Sequence, residues 1–260
     1  MNNTKKKSPI SWVPTAYFAM GLPFVVLNMV TVLMFKGLEV DDKLITFWTS
    51  LILLPWTLKP LWSPFLELFR TKKFFVIVTQ LITGITFGLV AFALNLSHFF
   101  SISIALLAIV AFSGATHDIA CDGVYMSELS NEDQARFIGW QGAFYNIAKI
   151  LATGGLVYLA GYFIELNADA GLLTANKRAW MIILLILSVT MILLGIYHLF
   201  ALPSTQSASS RKTLRSNKEV MKELGQVLMD FFRKTHITYY ICFIILYRFA
   251  EGFVMKIVPL

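Results

Sequence analysis

The apolar residues of this chain run in long blocks separated by short polar segments, with no strand-like alternation. The stretch 179–201 (AWMIILLILSVTMILLGIYHLFA) holds no Asp, Glu, Lys or Arg. A bilayer core of about 30 Å takes about 20 residues of helix. Lipid offers backbone N–H and C=O groups no partners, so such a block must be helical. Seven blocks qualify, at roughly 11–36, 44–66, 74–96, 101–126, 137–161, 179–201 and 236–258. One such block could be a buried core helix; seven in succession predict an all-α membrane protein.

Composition agrees. Hydrophobic residues make up 57% of the 260 and charged residues only 14%, against about 25% charged in a soluble domain. The net charge of +7 is no nucleic-acid footprint, because the basic residues cluster between the apolar blocks, where the positive-inside rule puts them. With the N-terminus inside, fourteen Lys and Arg fall on the inner side, among them Lys5, Lys6, Lys7, Arg211 and Lys212. Four fall outside: Lys36, Lys43, Lys177 and Arg178. The start MNNTKKKSPISWV is basic but has no small-residue cleavage site, so it reads as a cytoplasmic tail entering a retained span. Cys121 and Cys242 both lie in apolar blocks, which gives neither a disulfide framework nor a metal spacing.

Four regions follow: a tail at 1–10, six spans over 11–201, a linker at 202–235, and a seventh span at 236–260. The linker opens Pro/Ser-rich (LPSTQSASS). Ser216 and Glu219 then have capping-box spacing, and Val220, Met221, Leu224, Val227, Leu228 and Phe231 recur at helical intervals. This predicts an amphipathic helix on the inner membrane face or against the base of the protein. Six spans, a long inner link and a further span follow the plan of the major facilitator superfamily. The chain stops at Leu260 in apolar sequence, so we expect the N-terminal six-helix half plus the seventh helix of a truncated transporter.

Charges inside spans are costly and usually functional. This chain has seven: Lys59, Asp118, Asp122, Lys149, Arg248, Glu251 and Lys256. Asp118 and Asp122 are four apart and share a helix face. Two carboxylates that close in a low dielectric do not both ionise readily, which suits a proton carrier; structural pairing with lysines is the plainer reading. His117 points about 100° away from Asp118, so His117, Asp118, Cys121 and Asp122 make a poor metal cage. In span two, Pro55, Pro60 and Pro64 predict a kinked helix. Lys59 lies about four residues inward of that span's middle, at a depth like that of Asp118, and the two are expected partners. Arg248 and Glu251 are spaced to satisfy each other. In span one, Gly21 and Pro23 predict a kink that exposes backbone, with Asn28 further out. Tyr17, Phe18, Trp12 and Phe24 read as lipid or packing contacts. Gly84 and Gly88 have the spacing of a close helix contact. No P-loop, GxSxG, HExxH or dinucleotide glycine motif is present, so no cofactor and no enzyme activity are expected.

A resemblance refines this. Ser63-Pro-Phe-Leu-Glu67-Leu-Phe-Arg70-Thr-Lys72-Lys73 is similar to the facilitator motif that follows span two. Ser63 stands for the usual Gly, Glu67 for the Asp and Arg70 for the second Gly. It implies that Glu67, Arg70, Lys72 and Lys73 form a conformational charge clasp. Trp12-Val-Pro14, Tyr17-Phe18-Ala19, Gly21-Leu22-Pro23, Leu54-Pro55-Trp56, Lys59-Pro60-Leu61-Trp62, Asp118-Ile119-x-x-Asp122-Gly123 and Tyr247-Arg248-x-x-Glu251 resemble the muropeptide permease (AmpG) and acetyl-CoA transporter branch. That resemblance implies proton-driven import of anhydromuropeptides across a bacterial inner membrane, or of a nucleotide-bearing anion in the acetyl-CoA arm. The partners expected are a small-molecule substrate, protons and the bilayer, with no nucleic acid. Protons would use Asp118, Asp122 or Glu251; an anionic substrate would use Lys59, Lys149, Arg248 and Asn28. The competing readings are an intramembrane aspartyl enzyme, which needs aspartates from two helices, and a fragment that does not transport.

Overall fold

The structure is a computed structural model. It describes residues 7–63, 66, 71–203 and, beyond these, 225, 226, 229, 233–240, 242, 243, 246 and 247. The chain divides into two units, residues 1–206 and 207–260. Every described element of the first unit is helical. Six helices in it are long and apolar enough to cross a membrane: α1 Pro9–Gly37, α2 Asp42–Leu61, α3 Lys72–Ala93, α4 Phe99–Glu128, α5 Asn131–Leu166 and α6 Leu172–Ala201. In the second unit, Ile237–Tyr240 are helical. The amphipathic segment after Ser216 and the seventh span, with Arg248, Glu251 and Lys256, lie mainly outside the described residues, as do Glu67 and Arg70.

The helices begin where the sequence supplies caps. Asp41 accepts from the amides of Lys43 and Leu44 at the start of α2, Thr71 from Phe74 at α3, and Ser130 from Asp133 at α5. Each side-chain oxygen satisfies a first-turn N–H that no helical carbonyl can reach. Glu132 and Asp133 add negative charge to the first turn of α5, where the helix dipole favours it. Gly171, with φ of 84°, opens α6 in a backbone region that residues with a Cβ avoid.

Within the first unit, α1 is the hub. It packs against α4, α5 and α6, and 78% of its span is buried, against 17% for α2 and for α5. Trp12, Val13, Ala16, Val26 and Phe35 are fully enclosed. The outward faces are apolar as well, with Phe92, Phe112, Leu193 and Phe200 more than half exposed. A patch of that kind suits hydrocarbon and not water.

One expectation about irregularity is corrected, and the break expected in the second span is found. The α-helical part of α1 runs through Gly21 and Pro23 to Val25, and the irregular turn is a π segment at Val26–Val30. Gly21 is a packing position instead: a Cβ there would lie 2.9 Å from the Tyr145 carbonyl oxygen and from Ala148 Cβ of α5. A second π segment, Leu151–Leu156, interrupts α5 and packs against the first. Such bulges insert one residue into the helical ladder and recur at functional sites. The break in α2 falls at Leu53, with a short helix Leu54–Leu58 and a 3-10 turn Lys59–Leu61 beyond it. Pro55 and Pro60 each sit in the first turn of a new segment, where a missing N–H costs nothing.

Candidate functional site

The broken end of α2 meets α4 at one carboxylate. Asp118 Oδ2 accepts from Lys59 Nζ at 2.6 Å and from Trp56 Nε1 at 2.9 Å. The Asp118 side chain is 10% exposed and the Lys59 side chain 28%. Asp118 Oδ1 is buried and has no hydrogen-bond partner among the described residues. The indole rests on Gly114, one turn before Asp118: a Cβ there would come within 2.9 Å of the Trp56 ring. On its other side Phe24 meets Trp56 edge-on, with centroids 5.2 Å apart. Gly114, Phe24 and Asp118 together fix the ring and its N–H.

Asp122, one turn on, is exposed and has a donor of its own. Tyr17 Oη donates to Asp122 Oδ1 at 2.8 Å, and Gln141 Nε2 of α5 donates to the Tyr17 oxygen at 2.8 Å. Asp118 and Asp122 therefore share a face of α4 but sit in different environments, one buried against α2 and one open beside α1 and α5. Tyr17, expected as a packing or lipid contact, is instead a hydrogen-bond donor. Phe24 packs on Trp56, and Trp12 is buried in a cluster with Tyr17 and Met20.

The remaining candidates scatter. Asn28 is buried within the π segment of α1. Lys149 lies in the last turn before the π segment of α5, half-buried, and makes no salt bridge with the described carboxylates. Of the clasp residues, Lys73 Nζ donates to the Leu202 carbonyl at 2.8 Å, capping the C-terminal end of α6, where a cation suits the exposed carbonyls. The stem of Lys72 crosses Gly123, where a Cβ would lie 2.7 Å from Lys72 Cδ.

A second polar cluster went unrecognised in the sequence. It joins α1, α3, α4 and α6 through Thr15, His198, Gln80 and His117. Thr15 Oγ1 lies 2.9 Å from His198 Nε2, His198 Nδ1 lies 2.9 Å from Gln80 Oε1, and Gln80 Nε2 lies 3.0 Å from His117 Nε2. Gln80 and His198 are fully buried and His117 is 2% exposed. The only warning in the sequence was a neutral polar residue in each apolar block. No group of three or more His, Cys, Asp or Glu side chains among the described residues is placed to hold a metal ion.

Six apolar helices of spanning length, packed around two clusters of hydrogen-bonded polar side chains, define a multi-pass helical membrane protein. Compared with protein-family models, characterised proteins and solved structures, the chain matches none.

Proposed function

We propose that the chain carries one six-helix half of a secondary active transporter of the cytoplasmic membrane, coupling proton movement to import of an anionic, sugar-containing solute of the muropeptide kind. The observation that carries this reading is the Lys59–Asp118 pair. A charge inside a span is expensive unless paired. This pair joins a broken, thinly covered helix to a well-packed one. A carboxylate that takes up a proton releases its lysine and loosens α2 from α4. Asp122, open and held by Tyr17, supplies a second carboxylate on the same face. Substrate class rests on the resemblance to the muropeptide and acetyl-CoA transporters, and cations such as Lys59 and Lys149 are the right partners for an anionic solute. An aspartyl hydrolase is the weaker reading, because its two carboxylates must face each other from separate helices, and these share one.

Uptake of labelled muropeptide into liposomes holding the protein, driven by an imposed proton gradient, tests the proposal. Asp118→Asn and Asp122→Asn should abolish gradient-driven uptake and leave solute exchange. Uptake that keeps its normal pH dependence in both variants would remove the coupling role. Labelled acetyl-CoA in the same assay distinguishes the other substrate class. The excess of basic residues in alternate inter-span segments supports a cytoplasmic N-terminus. A cysteine at Asp42 should then react with an impermeant reagent in intact cells, and one at Arg211 should not.

A further inference from the structure

Gln80 stands between two buried histidines, and its side chain offers one acceptor and one pair of donors. It faces His117 through the Nε2 atom of that ring at 3.0 Å and His198 through the Nδ1 atom of that ring at 2.9 Å. One facing ring nitrogen must therefore accept from the amide while the other donates to it. The two facing nitrogens are of opposite kinds. We propose that His117, Gln80 and His198 form a single hydrogen-bonded unit whose two rings, when both are neutral, carry the same tautomer.

Only two hydrogen-bond directions satisfy the three links from Thr15 to His117, and in both of them the buried His117 Nδ1 has no partner among the described residues. In one, both rings are protonated at Nδ1: Thr15 donates to His198 Nε2, His198 Nδ1 donates to Gln80 Oε1, and Gln80 Nε2 donates to His117 Nε2. In the other, the amide is turned over and both rings are protonated at Nε2. His117 Nε2 then donates to the amide oxygen, the amide nitrogen to His198 Nδ1, and His198 Nε2 to Thr15 Oγ1. The Thr15 hydroxyl turns to the Trp12 carbonyl, 3.2 Å away. Thr15 serves both directions because an accepting carbonyl lies on one side of it and a ring nitrogen on the other.

Protonation obeys the same rule. A cationic His117 presents N–H to Gln80 and forces His198 into the Nε2–H form; a cationic His198 forces His117 into the Nδ1–H form. Two cations would aim two donors at an amide with one acceptor. The unit therefore binds at most one proton beyond neutral. The charges that act on His117 from outside its helix are His198 of α6 and Lys59 of α2. Other titratable groups along these elements include Tyr17 of α1, Lys72 and Lys73 of α3, Asp118, Cys121 and Asp122 on α4 itself, and Tyr197 of α6, whose ring lies 5.5 Å from that of His198. Near-complete burial of Gln80 and both rings keeps bulk solvent away from the links between them. The inference does not depend on transport.

Nitrogen-15 spectra of the imidazole rings distinguish the two tautomers directly. The protein has four histidines, and replacing His98 and His236 by Asn leaves the pair alone in the full chain, reconstituted in lipid bilayers. Both rings should show one tautomer, or two populations that match in proportion. Thr15→Val removes the hydroxyl that accepts from His198 Nε2–H, so the Nε2–H signal should vanish from both rings together. Gln80→Glu accepts from both sides, so His117 should become Nε2–H and His198 Nδ1–H, a mismatched pair. Unmatched tautomers in the parent chain overturn the proposal, as does a Thr15→Val protein in which one ring alone responds. Should Gln80→Glu fail to fold, the parent chain and Thr15→Val, which keeps the buried amide, decide the matter.

Discussion

The two polar clusters of the bundle solve opposite problems. At the α2–α4 contact the groups carry full charge, the helix is broken, and α2 is 17% buried. Between α1, α3, α4 and α6 the groups are an amide, two imidazoles and a hydroxyl, enclosed in regular helix. A buried ion pair pays a desolvation penalty that mutual attraction repays only with good geometry. A neutral chain pays far less and needs only complete hydrogen bonding. The comparison teaches that this protein keeps its ion pair beside its thinly covered, broken helix and its neutral polar chain among well-covered, regular helices.

The largest effect should come from splitting the ion pair. Lys59→Met leaves Asp118 without its counter-ion and Asp118→Leu leaves Lys59 so; breaking a buried pair costs about 3–5 kcal/mol, discounted here because Lys59 is partly exposed. The double variant leaves no orphan charge and should recover much of the folded yield in detergent. Additive losses would show that the two side chains do not support each other. Next comes the neutral interior. A Cβ at Gly84 would lie 2.7 Å from Ile192 Cγ1 and 2.9 Å from the Ser188 carbonyl oxygen, so Gly84→Ala should cost about 1–3 kcal/mol through overpacking between α3 and α6. Gly139→Ala on α5, where nothing lies within 4 Å, should cost nothing measurable in the same thermal unfolding assay. Equal effects at both sites would contradict the helix contact.

Smaller again is Trp56→Phe, which keeps the ring on Gly114 and removes the N–H. A hydrogen bond to a charged acceptor is worth about 1.5–3 kcal/mol, and the remaining bond from Lys59 offsets part of that loss. Its clearest reading is coupling: the variant should weaken proton-dependent uptake while leaving folded yield close to the parent. The least effect belongs to Lys36 and Asp42, an exposed pair 2.6 Å apart with both side chains 55% exposed. Exposed pairs contribute roughly 0.2–1 kcal/mol. Lys36→Gln should shift the melting midpoint slightly, and the shift should disappear in high salt.

Much of this was readable in the sequence because the bilayer imposes a length. The six described spans coincide with the apolar blocks. Their ends do not: α5 begins at Asn131, in a polar first turn that an apolar window ignores but that the Ser130 cap makes helical, and α6 begins at Leu172, ahead of the polar residues Asn176, Lys177 and Arg178 that interrupt its apolar run. The partnership of Lys59 with Asp118 could be anticipated from depth and charge. Trp56 could not, because an indole in a span reads as a lipid anchor. Gln80 was invisible for a different reason: a lone neutral amide carries no charge that demands a partner, and its meaning depends on His198, which is 118 residues away. The π segments leave no mark in composition at all, as they arise from one residue too many between packing contacts.

The seam between the first and last helices bears on how the protein is made. Thr15 of α1 meets His198 of α6, 183 residues later, and the most enclosed helix is made before the five that cover it. At about 5–20 residues per second, α1 must wait roughly 10–40 s before α6 exists to cover it. Its backbone is satisfied within the helix meanwhile except where Pro23 offers no N–H to the preceding turn, and the Trp12 carbonyl gives Thr15 an acceptor on the same turn. The helix that is hub of the finished bundle is thus, during synthesis, a self-sufficient lodger in the lipid, and assembly is timed by the arrival of its last neighbour.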